Sequence, residues 1–177
     1  MDNNIKEKQN CYLKQSINDE IFVMELLKNV FGGNCYKATF KEDTKKHIDI
    51  WWESPKKGLI PIDVKGRKKN KQNDESYNDN IQWIELYNVK GEKGWVYGES
   101  EYISFITKNK VIFIKTERLR EYAEKMIEGK ELVYDTPKDF YIPYQRKRWG
   151  RKDITFKCPI NDLIELNDFI IKFDVLK

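Results

Sequence analysis

The stretch from His47 to Lys69, HIDIWWESPKKGLIPIDVKGRKK, most narrows what this chain can fold into. Two short apolar runs flank a turn that carries Pro55 and Gly58, and each run is interrupted by a carboxylate. In the first run Ile48, Ile50 and Trp52 share one strand face, while Asp49 and Trp51 share the other. In the second, Ile60, Ile62 and Val64 share a face opposite Asp63 and Lys65. Period-two alternation on both sides of a Pro/Gly turn predicts a β-hairpin. Residues two apart on a strand point the same way, so Asp63 and Lys65 lie side by side. If the hairpin brings Asp49 alongside, two carboxylates and an ammonium converge.

Such a patch has a chemical use. Paired carboxylates hold Mg²⁺ in a partly hydrated octahedron, which leaves positions for water and a phosphate oxygen. The ion polarises a phosphoryl group and lowers the pKa of its bound water. A neighbouring lysine orients that water or stabilises developing negative charge. Asp49, followed after a short turn by Asp63-Val64-Lys65, resembles the D…(D/E)xK signature of the PD-(D/E)XK nuclease superfamily. That resemblance implies an α/β fold with a restriction-endonuclease-like αβββαβ core, a central mixed sheet flanked by helices, and metal-dependent cleavage of phosphodiester bonds. It implies that Asp49, Asp63 and the backbone carbonyl of Val64 ligate Mg²⁺ or Mn²⁺, with Lys65 activating water. In that superfamily the helix before the hairpin often adds a glutamate; Glu20 ranks slightly ahead of Glu25 for this role. WIE at Trp83 to Glu85, GWVYG at Gly94 to Gly98, and the strand Glu101 to Phe105 also resemble small phage-type and bacterial endonuclease-like members.

Composition sets bounds around this reading. A chain of 177 residues with 40% hydrophobic and 14% aromatic residues can bury a real core as one domain. A formal charge of +4 permits a polyanionic partner without requiring one. Three scattered cysteines, Cys11, Cys35 and Cys158, and a single histidine argue against a Cys/His zinc site and fit free thiols in a reducing cytoplasm. The polar N-terminus does not read as a signal peptide, and no apolar run reaches the length of a membrane span.

In chain order, residues 1–14 read as a loose arm. Ser16 is an N-cap candidate for a helix from Ile17 to Phe31, ended by Gly32-Gly33. Asn34 to Phe40 reads as a strand and Lys41 to Lys46 as a charged turn. After the hairpin, residues 66–80 form a polar loop that opens with Arg67, Lys68, Lys69 and Lys71, placed to contact a phosphate backbone. Ile81 to Val89 resumes strand character; Glu85 joins the site if this strand lies next to Lys65, and Gln82 and Trp83 are alternatives for substrate contact. The glycines from Gly91 to Gly98 mark turns between short strands, where Trp95 and Tyr97 are core residues or base-stacking residues.

Tyr102 to Ile106 and Val111 to Lys115 predict a hairpin, and Thr116 caps a helix from Glu117 to Glu128. Tyr144 to Asp153 gathers Arg146, Lys147, Arg148 and Arg151 around Trp149, a second candidate nucleic-acid contact. Asp153 to Lys157 reads as a last inner strand, and Leu163 to Ile171 as a short helix and closing strand.

The expected function is a Mg²⁺-dependent endonuclease acting on DNA, branched or single-stranded DNA included, with a homodimer in keeping with cutting two strands. A nucleic-acid-binding module without catalysis, or an accessory protein that keeps the fold without a site, are the alternatives.

Overall fold

The computed structural model describes residues 18–69, 76–147 and 150–174. Helix α1 is described over residues 18–31. It stops at Gly32 and Gly33, whose φ values of 75° and 83° suit glycine alone. A Cβ on Gly33 would stand 2.0 Å from the Glu53 carbonyl oxygen, so the chain passes β2 closely at this turn.

Strand β1 (Asn34–Lys37) leads into helix α2 (Phe40–Lys46), then β2 (Ile50–Ser54) and β3 (Gly58–Lys65). The expected strand to Phe40 therefore stops at Lys37, and the expected charged turn is helical. The cause is a capping box: Glu42 N–H donates to Thr39 Oγ1 (3.3 Å), and Thr39 N–H donates to Glu42 Oε2 (2.8 Å). The hairpin matches its expectation, with Ile50 opposite Ile62 and Trp52 opposite Ile60. Pro61 lies inside the sheet, not at an edge. Its carbonyl accepts from Glu101 N–H, and pairing with the next strand begins only at Ile62.

Next come β4 (Ile81–Tyr87), a 3₁₀ turn (Trp95–Tyr97), the hairpin β5 (Tyr102–Ile106) and β6 (Lys110–Lys115), and helix α3 (Thr116–Ile127). GWVYG is thus a 3₁₀ turn where a strand was expected, because Trp95 and Val96 bury themselves in the core. Thr116 is the first helical residue instead of the cap, and its Oγ1 lies 3.0 Å from Ser100 Oγ. β7 (Tyr144–Gln145), β8 (Ile154–Pro159), α4 (Ile160–Leu166) and β9 (Phe169–Lys172) complete the order.

The molecule is mixed α/β, with four helices among the described residues and a six-stranded mixed sheet in the order β1-β2-β3-β5-β6-β9. Only β3 and β5 run parallel. β4, β8 and β7 form a separate antiparallel three-stranded sheet. The strand at Ile81 to Val89 therefore does not lie next to Lys65 in the central sheet; it and the expected last inner strand pair with each other, outside that sheet. The reason lies in their buried faces: Ile84, Leu86, Phe156 and Cys158 cover Ile103, Phe105, Ile112 and Ile114 of the central sheet. The opposite face, with Ile50, Trp52, Ile60 and Ile62, is covered by Val23 and Leu27 of α1. Among the described residues, no helix is long and apolar enough to cross a membrane.

Candidate functional site

Alternation along β3 decides the site. Ile60, Ile62 and Val64 turn to α1, so Asp63 and Lys65 turn to the other face, beside Ile103 and Phe105 of β5. The 3₁₀ turn closes over them. Lys65 Nζ lies 2.6 Å from Asp63 Oδ1 and 4.9 Å from the centre of the Trp95 ring. Asp63 is 1% exposed. Asp49, just ahead of β2, reaches across the hairpin, and its Oδ2 accepts the Val64 N–H at 2.7 Å. The structure thus brings together Asp49, Asp63, Val64 and Lys65.

Electrostatics follow from this enclosure. Burial raises the Asp63 carboxyl well above the usual carboxylate range. Lys65 opposes the shift, and the neighbouring Asp49 carboxylate adds to it. Burial also works against the Lys65 ammonium, but Asp63, Asp49 and Glu85 outweigh it and hold Lys65 above its usual range. Both Asp63 oxygens are closed off from solvent, and Oδ1 meets the Lys65 ammonium at 2.6 Å. Taking a carboxylate out of water costs several kcal/mol, which one ammonium partner repays only in part. Among the described residues no group of three or more His, Cys, Asp or Glu side chains is arranged to hold a metal. The acids brought together here are Asp49 and Asp63, which lie on either side of the Val64 amide with Lys65 beside them.

Other expected residues fall around this centre. Glu85 is not on a neighbouring strand of the central sheet, yet it acts on Lys65. Burial raises its carboxyl, which Lys65 and the Trp95 amide partly offset. Glu20 stands in the first described turn of α1, ion-paired to Lys37 at 3.0 Å and 16% exposed. Glu25 is exposed on the same helix.

Two acids not anticipated from the sequence join the rim. Asp43 of α2 is raised by burial and then by Asp49 and Glu20, which places it in reach of both. Asp19 is pushed up to about 6, chiefly by burial, with Lys68 opposing. Its Oδ2 packs where a Cβ on Gly66 would come within 2.1 Å, so a side chain there would push the Asp19 carboxyl aside. The Thr39/Glu42 capping box was the signal that could have found Asp43, since it makes residues 40–46 helical. His47 is held below its usual range by burial and by Lys65.

The first basic run folds inward. Arg67 donates through Nε and Nη2 to both oxygens of Asp79, at 2.8 and 2.6 Å, and stacks 4.4 Å from the Tyr77 ring. Lys69 lies 5.4 Å from the same ring. Lys68 is bridged to Asn78 and is lowered by burial and by Lys65, with Asp19, Asp63 and Glu85 opposing. In the second run Arg146 and Lys147 are exposed, with Lys147 Nζ 5.3 Å from the Tyr134 ring. Arg151 is forked onto Asp153 at 2.8 and 2.9 Å. Lys71, Arg148 and Trp149 lie outside the described residues, as do Ser16 and the expected arm.

No family model matches the chain, and no curated protein or solved structure matches it either.

Proposed function

We propose that this chain is a metal-dependent nuclease acting on DNA, with the chemistry that its resemblance to the PD-(D/E)XK superfamily implies. The observation that carries the reading is the enclosed trio of Asp49, Asp63 and Lys65, in which a carboxyl group shut off from solvent lies between a second carboxylate and an ammonium. Asp49 and Asp63 would hold Mg²⁺ or Mn²⁺, with the Val64 carbonyl as a further oxygen ligand. When bound, the ion supplies a polarised phosphoryl group and a water of lowered pKa. Lys65, held protonated by its acid neighbours, stabilises negative charge that develops on the phosphate. Trp95 shields that ammonium from bulk water and so strengthens its field. Glu20 and Asp43 flank the pair, and Glu85 positions Lys65.

A cleavage assay tests this. The wild type and Asp63→Ala are incubated at low salt with plasmid, linear duplex, single-stranded and branched DNA, each in EDTA, Mg²⁺ or Mn²⁺. Metal-dependent cutting that Asp63→Ala abolishes is the expected result. A second reading, a DNA-binding module without catalysis, has its own support in the two-carboxylate set and in the direct Lys65 contact that occupies Asp63. Salt-sensitive binding by both proteins with no cutting of any substrate selects it.

A further inference from the structure

We propose that the outer face of the small sheet is a track for a single strand of DNA, leading to the carboxylate pocket; the destination, though not the track, rests on the nuclease reading. The strand register defines the face. Trp83 stands opposite Lys157, Glu85 opposite Thr155, and Thr155 opposite Tyr144. These residues share one side of the sheet, because their alternates Ile84, Phe156 and Cys158 are in the core. The Trp83 and Tyr144 rings, both partly exposed, lie 6.2 Å apart at 46°. Val133 bridges to Tyr144 and extends the sheet by one residue. Two aromatic rings thus lie side by side on a partly open surface, as a stacking platform requires.

Charge accompanies the rings. Arg146 and Lys147 are exposed at the end of β7, with Lys147 over Tyr134. Arg151 interacts with both Tyr144 and Glu85, and Asp153 with both Arg146 and Glu85. Glu85, two residues from Trp83 on β4, in turn acts on Lys65. Arg146, Asp153, Glu85 and Lys65 are thus each within electrostatic reach of the next, from the end of β7 to the pocket.

A polyanion with exposed planar groups fits this surface. Phosphates meet the arginines and lysines, and unpaired bases stack on Trp83 and Tyr144. Bases in a duplex are covered by their neighbours and have no free face to offer the rings. The track therefore selects single-stranded DNA over duplex.

The test is binding of a fluorescein-labelled oligo(dT) and of a labelled duplex of equal length, by anisotropy, in EDTA and low salt so that nothing is cut. The expected result is single-strand binding at least about tenfold tighter than duplex. Stacking of one base is worth on the order of 5- to 150-fold in affinity. Trp83→Ala and Tyr144→Ala should therefore each weaken oligo(dT) binding about tenfold while leaving duplex binding unchanged. Trp83→Phe and Tyr144→Phe keep a ring and should restore most of the loss, which separates stacking from misfolding; a thermal melt of each variant accompanies the titrations. Lys147→Gln should weaken both ligands severalfold. Equal affinity for the two DNA forms, or a Trp83→Ala protein that binds oligo(dT) like the wild type, overturns the track. Cleavage is scored separately. Ring-dependent binding without metal-dependent cutting keeps the track and sinks the nuclease reading. Cutting without single-strand preference does the reverse.

Discussion

Two aspartate–cation pairs of the same sequence spacing sit in different surroundings, one on a strand of the central sheet and one on the rim of the small sheet. Asp63 and Lys65 are two residues apart on β3, with 2.6 Å between Nζ and Oδ1; Arg151 and Asp153 are two apart on the rim of the small sheet, with 2.8 Å between Nε and Oδ1. Their distances are nearly equal, and their carboxyl groups shift in opposite directions. Burial raises Asp63 despite its lysine, whereas the Arg151 hydrogen bonds lower Asp153 despite partial burial. Asp63 is 1% exposed and Asp153 15%. Contact geometry alone does not fix the energy of an ion pair; the solvent it gives up decides the sign. The arginine fork also satisfies both Asp153 oxygens, whereas the Lys65 ammonium closes on Asp63 through Oδ1.

The largest break in this comparison should come in catalysis. Asp63→Ala should lower metal-dependent cleavage by three orders of magnitude or more, about 4 kcal/mol in the barrier. Asp153→Ala should change it less than tenfold under the same metal and salt. Comparable losses from both would mean that burial does not single out Asp63.

Stability gives the next contrast. Lys65→Met leaves a buried carboxyl without its counter-charge and should cost about 3 kcal/mol in urea unfolding. The Asp63→Asn/Lys65→Met double variant should recover most of that loss. A double variant no better than Lys65→Met alone would show that Lys65 contributes by packing on Trp95 instead. The same cycle on Arg151 and Asp153 should give a coupling under about 1 kcal/mol, because solvent screens the rim.

Packing that holds the pocket offers a test between these sizes. Ile62→Ala opens a cavity under α1 on the side away from Asp63 and should cost about 2–5 kcal/mol. Oligo(dT) affinity should stay within a few-fold of wild type where the variant is folded, since no residue of the outer track touches that face.

The smallest effect concerns pH. Asp153 has a folded-state pKa below its unfolded value, so its stabilisation is complete above the unfolded value near 4 and is lost as pH falls through the folded value. Wild type and Asp153→Asn should therefore differ by under about 1 kcal/mol at pH 6 and converge towards pH 3. A difference that persists unchanged in acid would show that the Arg151 fork contributes through shape alone.

Some of this was legible in the sequence because it is encoded by near neighbours. Alternation from Ile48 to Lys65 is a local signal, and it placed Asp63 and Lys65 side by side before any pairing was known; the hairpin pairing then brought Asp49 to them. Gly32 and Gly33 ended α1 where expected, since only glycine relaxes at their φ values. The Tyr102 to Lys115 hairpin also followed from short-range pattern. Helix α2 was legible in principle, through Thr39 and Glu42, but its charge masked the capping signal.

Other features depend on residues far apart in the chain. Nothing near Ile81 or Asp153 in sequence says whether a strand joins the central sheet or pairs elsewhere; the apolar faces of β4 and β8 fit the layer above β5 and β6, and that is a property of shape in three dimensions. Arg67, Lys68 and Lys69 read as free cations, yet tertiary contact turns Arg67 onto Asp79 and Lys68 inward towards Asp19 and Glu85. The sequence by itself determined which residue types stand two apart on β3, because strand geometry allows only two directions for a side chain. Only the tertiary structure decided that Asp63 would be buried and raised, with Lys65 beside it under the Trp95 ring, because desolvation is set by everything packed around a charge and not by its neighbours in the chain.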